Sequence, residues 1–569
     1  MSSKDDDSLK RSRQELAKIL GFDIPNLAYF LALYSKYKRP KNEKKIILGD
    51  CADTPQCQIS DTDIAYTTAV ASDELMSNLP FVEYKKILRA KNNYSERAKK
   101  VRLWLKKMQA GVGTSLDRKK YLSRVLGVDE KQVKLGSKGT DLFIKYKGKQ
   151  ISLAEAQILQ AINDAKAGIY SQIILHDIVS SETLSAVNKI WKKPCVFNPK
   201  KKYLEYINST KMHSRFRESV QSHQPTIDEK GDISLNRSNP GGHGFISVDA
   251  FLASYFTDEL PNKDYRDLVS VLGNGEDLGS TPDPVMIGWV VKNDIPVAML
   301  TTEKTEIDMK GGQIALVKSS NGVYVTIVEK AQAQAAGQID LFEQMGLRKG
   351  DKKSFFNTNV AIFNYEALVP RIQKLIKEIG LDSFVEIITP DLIENAKQQL
   401  DKDGVTRTYT QLEGAMGSSI LNLDKFWRQH YGEPLVHFIN IDRKNRTRFF
   451  SPIKTPFDFF MQFFSDKFIF DPKTVRLIDQ NPGHLPFIAF KDPYYNDVQN
   501  VLDAFKGGSI IKLNRLAIDG KTVMPKFKLK GDLDVINRTG NIADLNKYDK
   551  CKKKELINSN VEIISEKKV

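Results

Sequence analysis

From about residue 100 onward, short β-branched runs alternate with amphipathic stretches along the chain. Strands are predicted over residues 172–176, 268–272 and 297–302, and helices over 182–190 and 283–292. A period of two giving way to a period of 3.6 and back again predicts βαβ units, hence a mixed or parallel sheet covered by helices. A hairpin follows, its arms at 313–318 and 323–328 and its turn at Ser319-Ser320-Asn321-Gly322, where Asn-Gly is the turn signal. Beyond about residue 500 the period is two again, at 509–513, 526–530 and 533–537, with no helical pattern between. This predicts a small β domain, for which a coiled stack of short strands is one form, although no clean repeat marks it.

The first 95 or so residues read differently, as polar helices at 8–19, 25–37 and 83–97 around a loop-like stretch at 50–63. The expected organisation is therefore a helical N-terminal region (1–98), an α/β domain (99–500) and a C-terminal β domain with a charge-rich tail (501–569).

Composition narrows the classes. A chain of 569 residues with 41% hydrophobic and 27% charged residues is that of a globular protein of two or three domains. No apolar run has bilayer length, and the apolar segment at 24–34 follows an acidic start, Asp5-Asp6-Asp7, so no membrane association and no secretory signal is expected. Four scattered cysteines suit neither a disulfide framework nor zinc, and point to a cytoplasmic setting. The net charge of +16 is spread through the chain without aromatic-interleaved basic strands, so a solvated lysine-rich surface is expected and no nucleic-acid partner. Such a balance still favours polyanionic small molecules.

One stretch suggests chemistry by itself. Met108-Gln109-Ala110-Gly111-Val112-Gly113-Thr114 lies between an apolar-alternating run at 101–105 and a helix-compatible segment at 119–125. A strand that breaks into a glycine turn and then a helix brings bare main-chain amides to one point, and oriented N–H groups hold phosphate.

Reading onward, the order of motifs resembles the eukaryotic-type UTP–sugar-1-phosphate uridylyltransferases, the UDP-glucose pyrophosphorylase-like family. The family's L-N-G-G-x-G-T-x-x-G is met by residues 108–116, which keep Gly111, Gly113 and Thr114. Its G-P-K-S resembles Gly136-Ser137-Lys138-Gly139, its helical glutamine matches Gln157, and its P-x-G-H-G matches Pro240-Gly241-Gly242-His243-Gly244. N-x-D-N-L-G is met by Asn274-Gly275-Glu276-Asp277-Leu278-Gly279, and K-T-x-x-D-x-K-G-G by residues 304–312. E-x-A-Q appears at Glu329–Gln332, F-N-T-N at Phe356–Asn359, the L-E-x-A-x-G helix at 412–417, and R-F-x-P-V-K-T at 448–455 with Asp458 downstream. The resemblance covers roughly residues 85 to 540.

What the resemblance implies is an α/β fold: a doubly wound mixed-sheet nucleotidyltransferase core with the helical N-terminal region and small C-terminal β domain. The implied reaction is attack of a sugar 1-phosphate, by default glucose 1-phosphate, on the α-phosphorus of UTP, with pyrophosphate leaving. The nucleophile is already anionic, so catalysis is positioning and charge neutralisation by cations and Mg2+. Lys454, Lys138 and Arg118 are the implied catalytic cations. Gly111, Gly113, Thr114, Gln157, His243 and Gly244 are the implied nucleotide-binding residues, with Gln157 facing uracil. Asn357, Glu329 and Gly312 would face the sugar, and Glu276 and Asp277 the Mg2+ ion.

On composition alone Lys454 also reads as a solvated strand-end lysine, Lys138 as a turn lysine, His243 as a turn histidine, and Asn357 and Asn359 as strand-end hydrogen bonders. Two departures from the family pattern stand out. Ala110 replaces a glycine and Asp117-Arg118 occupy the later glycine region, while the stretch from the loop to Lys138 is longer and lacks the proline before the lysine. That leaves open whether Lys138 reaches the phosphates or Lys119 or Lys120 supplies the charge instead. The second departure is Glu276-Asp277 in place of Asp-Asn, which alters the charge at the metal. A non-catalytic nucleotide-sugar-binding or interaction protein on the same scaffold is the rival reading.

Overall fold

The computed structural model describes residues 64–68, 81–113, 116–209, 217–220, 223–227, 233–240, 242–304, 308, 312–319, 322–328, 355–390, 392–400, 405–547 and 555–563. The helices expected at 8–19 and 25–37 and the loop at 50–63 lie outside them, as do Thr114 and Glu329. The fold is mixed α/β and forms two compact units, one of residues 1–106, 218–272 and 283–440, the other of 107–217, 273–282 and 441–569. Their segments interleave along the chain and cross the sequence boundaries at 98/99 and 500/501. Among the described residues no helix is long and apolar enough to cross a membrane.

In the first unit a mixed sheet carries the core. Phe355–Asn364 pairs antiparallel with Leu268–Asn274 on one side and Val297–Glu303 on the other, whereas Val436–Ile441 pairs parallel with Phe81–Glu83. Every residue of Leu268–Asn274 is buried, as a strand covered on both faces requires. The helix Pro284–Lys292 starts where Asp283 caps the Val285 N–H and Pro284 presets the first turn. The hairpin arms are Gln313–Ser319 and Gly322–Val328, antiparallel in register.

Two expectations change here. The helix expected over 83–97 is broken into Tyr84–Ile87, a 3-10 turn at Leu88–Ala90, and Lys91–Ala98. The segment 412–417, expected to be helical throughout, ends the strand Thr406–Gly414 and only then opens the helix Met416–Tyr431, so Glu413 lies on a strand opposite Ile393.

In the second unit, the hairpin Phe143–Tyr146/Lys149–Ser152 turns through Lys147 and Gly148, both at positive φ, and leads into the helix Leu153–Lys166, closed by a Ser152/Glu155 capping box. The C-terminal strands Phe487–Phe490, Ser509–Asp519, Lys528–Asn537 and Glu555–Ile563 pair in that order and all in parallel. Between them the short strands Thr522–Val523 and Ala543–Asp544 also pair in parallel, so the chain coils and each turn stacks on the last. Leu516 faces Leu533, and Ile518 faces Val535. These residues share one core with Phe457, Phe460 and Phe505. The charge-rich tail contains the last strand of this stack, Glu555–Ile563.

Candidate phosphate-binding site

Four segments of the second unit converge. The strand Arg102–Met108, buried beyond its first residue, enters the second unit at Lys107 and leads to buried Gln109 and Ala110 and exposed Gly111. Gly113 has φ +66°, and a Cβ there would lie 2.9 Å from the Lys138 Cε, so the position needs glycine both for its backbone and for the lysine stem. Ser137 caps the short helix Lys138–Asp141, and its hydroxyl donates to Gln109 Oε1 at 2.6 Å. A Cβ on Gly139 would meet Gln109 Oε1 and the Gly275 carbonyl at 2.5 Å, so the two loops pack on Gln109 with no room for a side chain. The Gly275 N–H closes the junction by donating to the Met108 carbonyl at 2.9 Å.

Lys138 therefore does reach the glycine loop despite the longer spacing. Its Nζ donates to the Ile453 carbonyl at 2.9 Å. Burial lowers its pKa; Glu276 opposes that shift, and Lys454 and Arg118 add to it. The alternatives are placed elsewhere: Lys119 opens the helix Lys119–Leu126, and Lys120 Nζ donates to Asn500 Oδ1 at 2.7 Å.

Lys454 follows a short helical turn, Arg446–Phe449, and a coil, so it does not end a strand. Its side chain is 47% exposed and its Nζ lies 3.7 Å from Glu276 Oε1. Asp458 fixes its backbone, accepting the N–H groups of Lys454 and Thr455 at 3.0 and 2.7 Å, in a capping box that starts the helix Pro456–Phe463. Burial raises the Asp458 pKa against these hydrogen bonds.

Three expected site residues are held by the fold itself, Arg118 completely and Asp277 and Gln157 in part. Arg118, expected to face phosphate, is fully buried: Nε pairs with Asp141 Oδ2 at 2.7 Å, and its terminal nitrogens donate to the carbonyls of Gly113, Leu116, Val112 and Gly136. No N–H remains for a phosphate. Asp277, expected as a metal ligand, is also buried, and its Oδ1 accepts the N–H groups of Gly279, Ser280 and Ser451 at 2.7, 3.2 and 2.9 Å. Burial lifts its pKa to about 6, against the Ser451 hydrogen bond and the charge of Lys107. Gln157, expected to read uracil with a full amide, gives both amide hydrogens to the Asn274 and Asp277 carbonyls at 3.1 and 3.2 Å.

Glu276 is thus the carboxylate beside the two lysines. The supporting residue missed by sequence reasoning is Lys107, a buried lysine whose Nζ donates to the Ser280 carbonyl and hydroxyl at 2.7 and 3.0 Å. Burial, opposed by Asp277 and Asp177, lowers its pKa to about 8. Its signal was the lysine pair Lys106-Lys107 inside the buried strand Arg102–Met108.

The remaining expected residues belong to the first unit. Asn357 N–H donates to the Gly312 carbonyl at 3.0 Å, and the Asn357 amide pairs with Asn359, whose φ is +57°. His243 opens the helix His243–Tyr255, and a Cβ on Gly244 would lie 2.7 Å from the Gly414 carbonyl carbon, so packing accounts for that glycine.

Comparison with known proteins gives these features a setting. A family model described as UTP–glucose-1-phosphate uridylyltransferase matches residues 196–529, leaving the glycine loop ahead of the matched span. The UTP–glucose-1-phosphate uridylyltransferase of Saccharomyces cerevisiae is 25% identical over 340 residues, 58% of this chain and 59% of that protein. That of Encephalitozoon cuniculi is 27% identical over 317 residues, 55% and 54% of the respective chains. The chain thus spans less than two thirds of these relatives. Among solved structures, a UDP-glucose phosphorylase from Trypanosoma brucei has a TM-score of 0.60 at 20% identity, covering 85% of this chain and 90% of that one. A mutant UDP-glucose pyrophosphorylase from Leishmania major in complex with UDP-glucose has a TM-score of 0.63 at 18% identity, covering 99% and 100%. These two share the fold.

Proposed function

This chain belongs to the UTP–glucose-1-phosphate uridylyltransferase family, and from that premise we propose that it transfers uridylyl from UTP to glucose 1-phosphate, giving UDP-glucose and pyrophosphate. The observation that carries the reading is the meeting of Lys138 with the Gly113 turn, next to the segment that bears Lys454. Two ammonium groups beside a glycine loop suit a triphosphate whose charge must be held while pyrophosphate leaves. A phosphate oxygen of the sugar 1-phosphate forms the new bond to the α-phosphorus, and the bond to the β-phosphate bridging oxygen breaks. Neither step needs a general base, since the nucleophile is ionised.

Lys138 is held by the Ile453 carbonyl and so meets the phosphates from a fixed position, whereas the exposed Lys454 settles on them as they arrive. Among the described residues no group of three or more His, Cys, Asp or Glu side chains is placed to hold a metal by itself. Mg2+ suits the remaining donor set, since it is commonly bound by one or two carboxylates together with substrate phosphates. Glu276 would hold it, and when bound it would neutralise phosphate charge. Selectivity for uracil and for glucose, and a cytoplasmic location, belong to the same proposal.

The test is pyrophosphate release from UTP with Mg2+ across a panel of sugar 1-phosphates. Turnover with glucose 1-phosphate supports the reading. Binding of UTP or UDP-glucose without any turnover replaces it with a non-catalytic binding protein.

A further inference from the structure

Arg118 stands where the family pattern has a glycine region, and it is more deeply buried than any other arginine among the described residues, at 0% exposure. Its partners are divided between two loops that are separate in sequence. Val112, Gly113 and Leu116 belong to the glycine loop; Gly136 and Asp141 belong to the turn that carries Lys138. Asp141 reinforces the second loop, accepting the Gly136 N–H at 2.9 Å. A planar guanidinium is suited to this, because its donors lie in a rigid fork.

The direction of these bonds has a consequence for the amides. All described peptide bonds are trans, and in a planar trans peptide the C=O and the following N–H point in opposite directions. Drawing the Val112 and Gly136 carbonyls onto Arg118 therefore turns the Gly113 and Ser137 N–H groups away from it. The Leu116 peptide shows the same arrangement, with its carbonyl on Arg118 and the Asp117 N–H donating away to Asn496 at 3.0 Å.

We propose that Arg118, paired with Asp141, is a positioning residue for the triphosphate: it locks the glycine loop to the Lys138 turn and keeps the Gly113 and Ser137 N–H groups turned away from itself before any ligand arrives. Arg118 makes no contact with phosphate in this role. It replaces the flexibility of the family's glycine with a preformed cradle, and compensates for the longer stretch between the loop and Lys138. The inference rests on the proposed binding of UTP at this site.

The test is a double-mutant cycle between Arg118→Lys and Lys138→Ala, read as UTP affinity by calorimetry and as KM against kcat in turnover. Arg118→Lys keeps the charge but loses the fork, and is expected to raise the UTP KM about tenfold while leaving the glucose 1-phosphate KM unchanged. The cycle is expected to be non-additive, since a displaced Lys138 has less to lose. A matched control is Lys467→Met, which breaks another buried ion pair of the same unit, with Asp479; it is expected to lower stability yet remain additive with Lys138→Ala. Should Arg118→Lys fail to fold, Asp141→Asn takes its place in the cycle. Additivity of Arg118 with Lys138, in a wild type that binds UTP, overturns this role alone. Absence of UTP binding by wild type overturns the functional reading and the role together.

Discussion

Lys138 donates its ammonium to the main-chain carbonyl of Ile453 at 2.9 Å, one residue before Lys454. The two lysines are thus supported by one contact, although one comes from a capped turn near the glycine loop and the other from the approach to a distant helix. Their charges oppose each other, and each is lowered in energy by an anion placed against both.

Lys454→Ala should lower turnover by about two to three orders of magnitude, the usual loss when a preorganised cation is removed. The side chain is 47% exposed, so the thermal midpoint should hardly move. Lys202→Ala, at a side chain 58% exposed in another basic cluster, serves as the control with unchanged kcat.

Gly113→Ala should act on both backbone and lysine. A left-handed conformation costs an alanine about 1–2 kcal/mol, and the new Cβ would press on the Lys138 stem. The expected outcome is a lower unfolding midpoint together with weaker UTP binding by calorimetry. Gly111→Ala should be milder, because nothing lies within 4 Å of its would-be Cβ.

The carboxylates of the Asn274–Gly279 loop should separate in their metal dependence. Excess chelator is expected to abolish turnover. Glu276→Gln should raise the Mg2+ concentration for half-maximal rate, whereas Asp277→Asn should leave it unchanged, because the Asp277 oxygen that matters accepts main-chain N–H groups and asparagine retains it. A Mg2+ titration of both variants decides between them.

Stability should fall with acid through His437. Burial, with Arg428 and Arg371 acting the same way, lowers its pKa from 6.5 to about 4. Between those values the unfolded chain binds the proton and the folded chain does not, so stability rises with pH there, and weakens as pH falls from about 6.5. Urea midpoints measured from pH 7 to pH 4.5 should show this slope, and it should shrink in His437→Gln.

The sequence showed elements more readily than roles. The strand at 268–272 was legible because a mostly apolar run, broken only by Ser270, fits a strand buried on both faces, and the helix at 283–292 because its cap and preset first turn are local events. The alternation at 509–537 revealed strands but not that neighbours run parallel, since a period of two is the same in either direction. For the site, glycine spacing identified the loop, and Gly113 and Lys138 indeed meet. Residue type could not tell which way a charge points. Arg118 and Asp277 look like phosphate and metal ligands in sequence, yet all the N–H groups of Arg118 and the Oδ1 of Asp277 are engaged within the fold. Gln157 likewise gives its amide hydrogens to main-chain carbonyls.

The coiled C-terminal stack also bears on how this unit is assembled in time. Each of its long strands pairs with the next long strand along the chain, so only short loops need close for one coil to template another. The phosphate cradle is the reverse case: its parts come from around Gln109, Lys138, Glu276 and Lys454, which are far apart in sequence. Contacts between segments so far apart in sequence form late, because their closure entropy must be met before any bond rewards it. In refolding, the stack is therefore expected to gain hydrogen-exchange protection first, and competence for UTP to return only with the final, slowest phase.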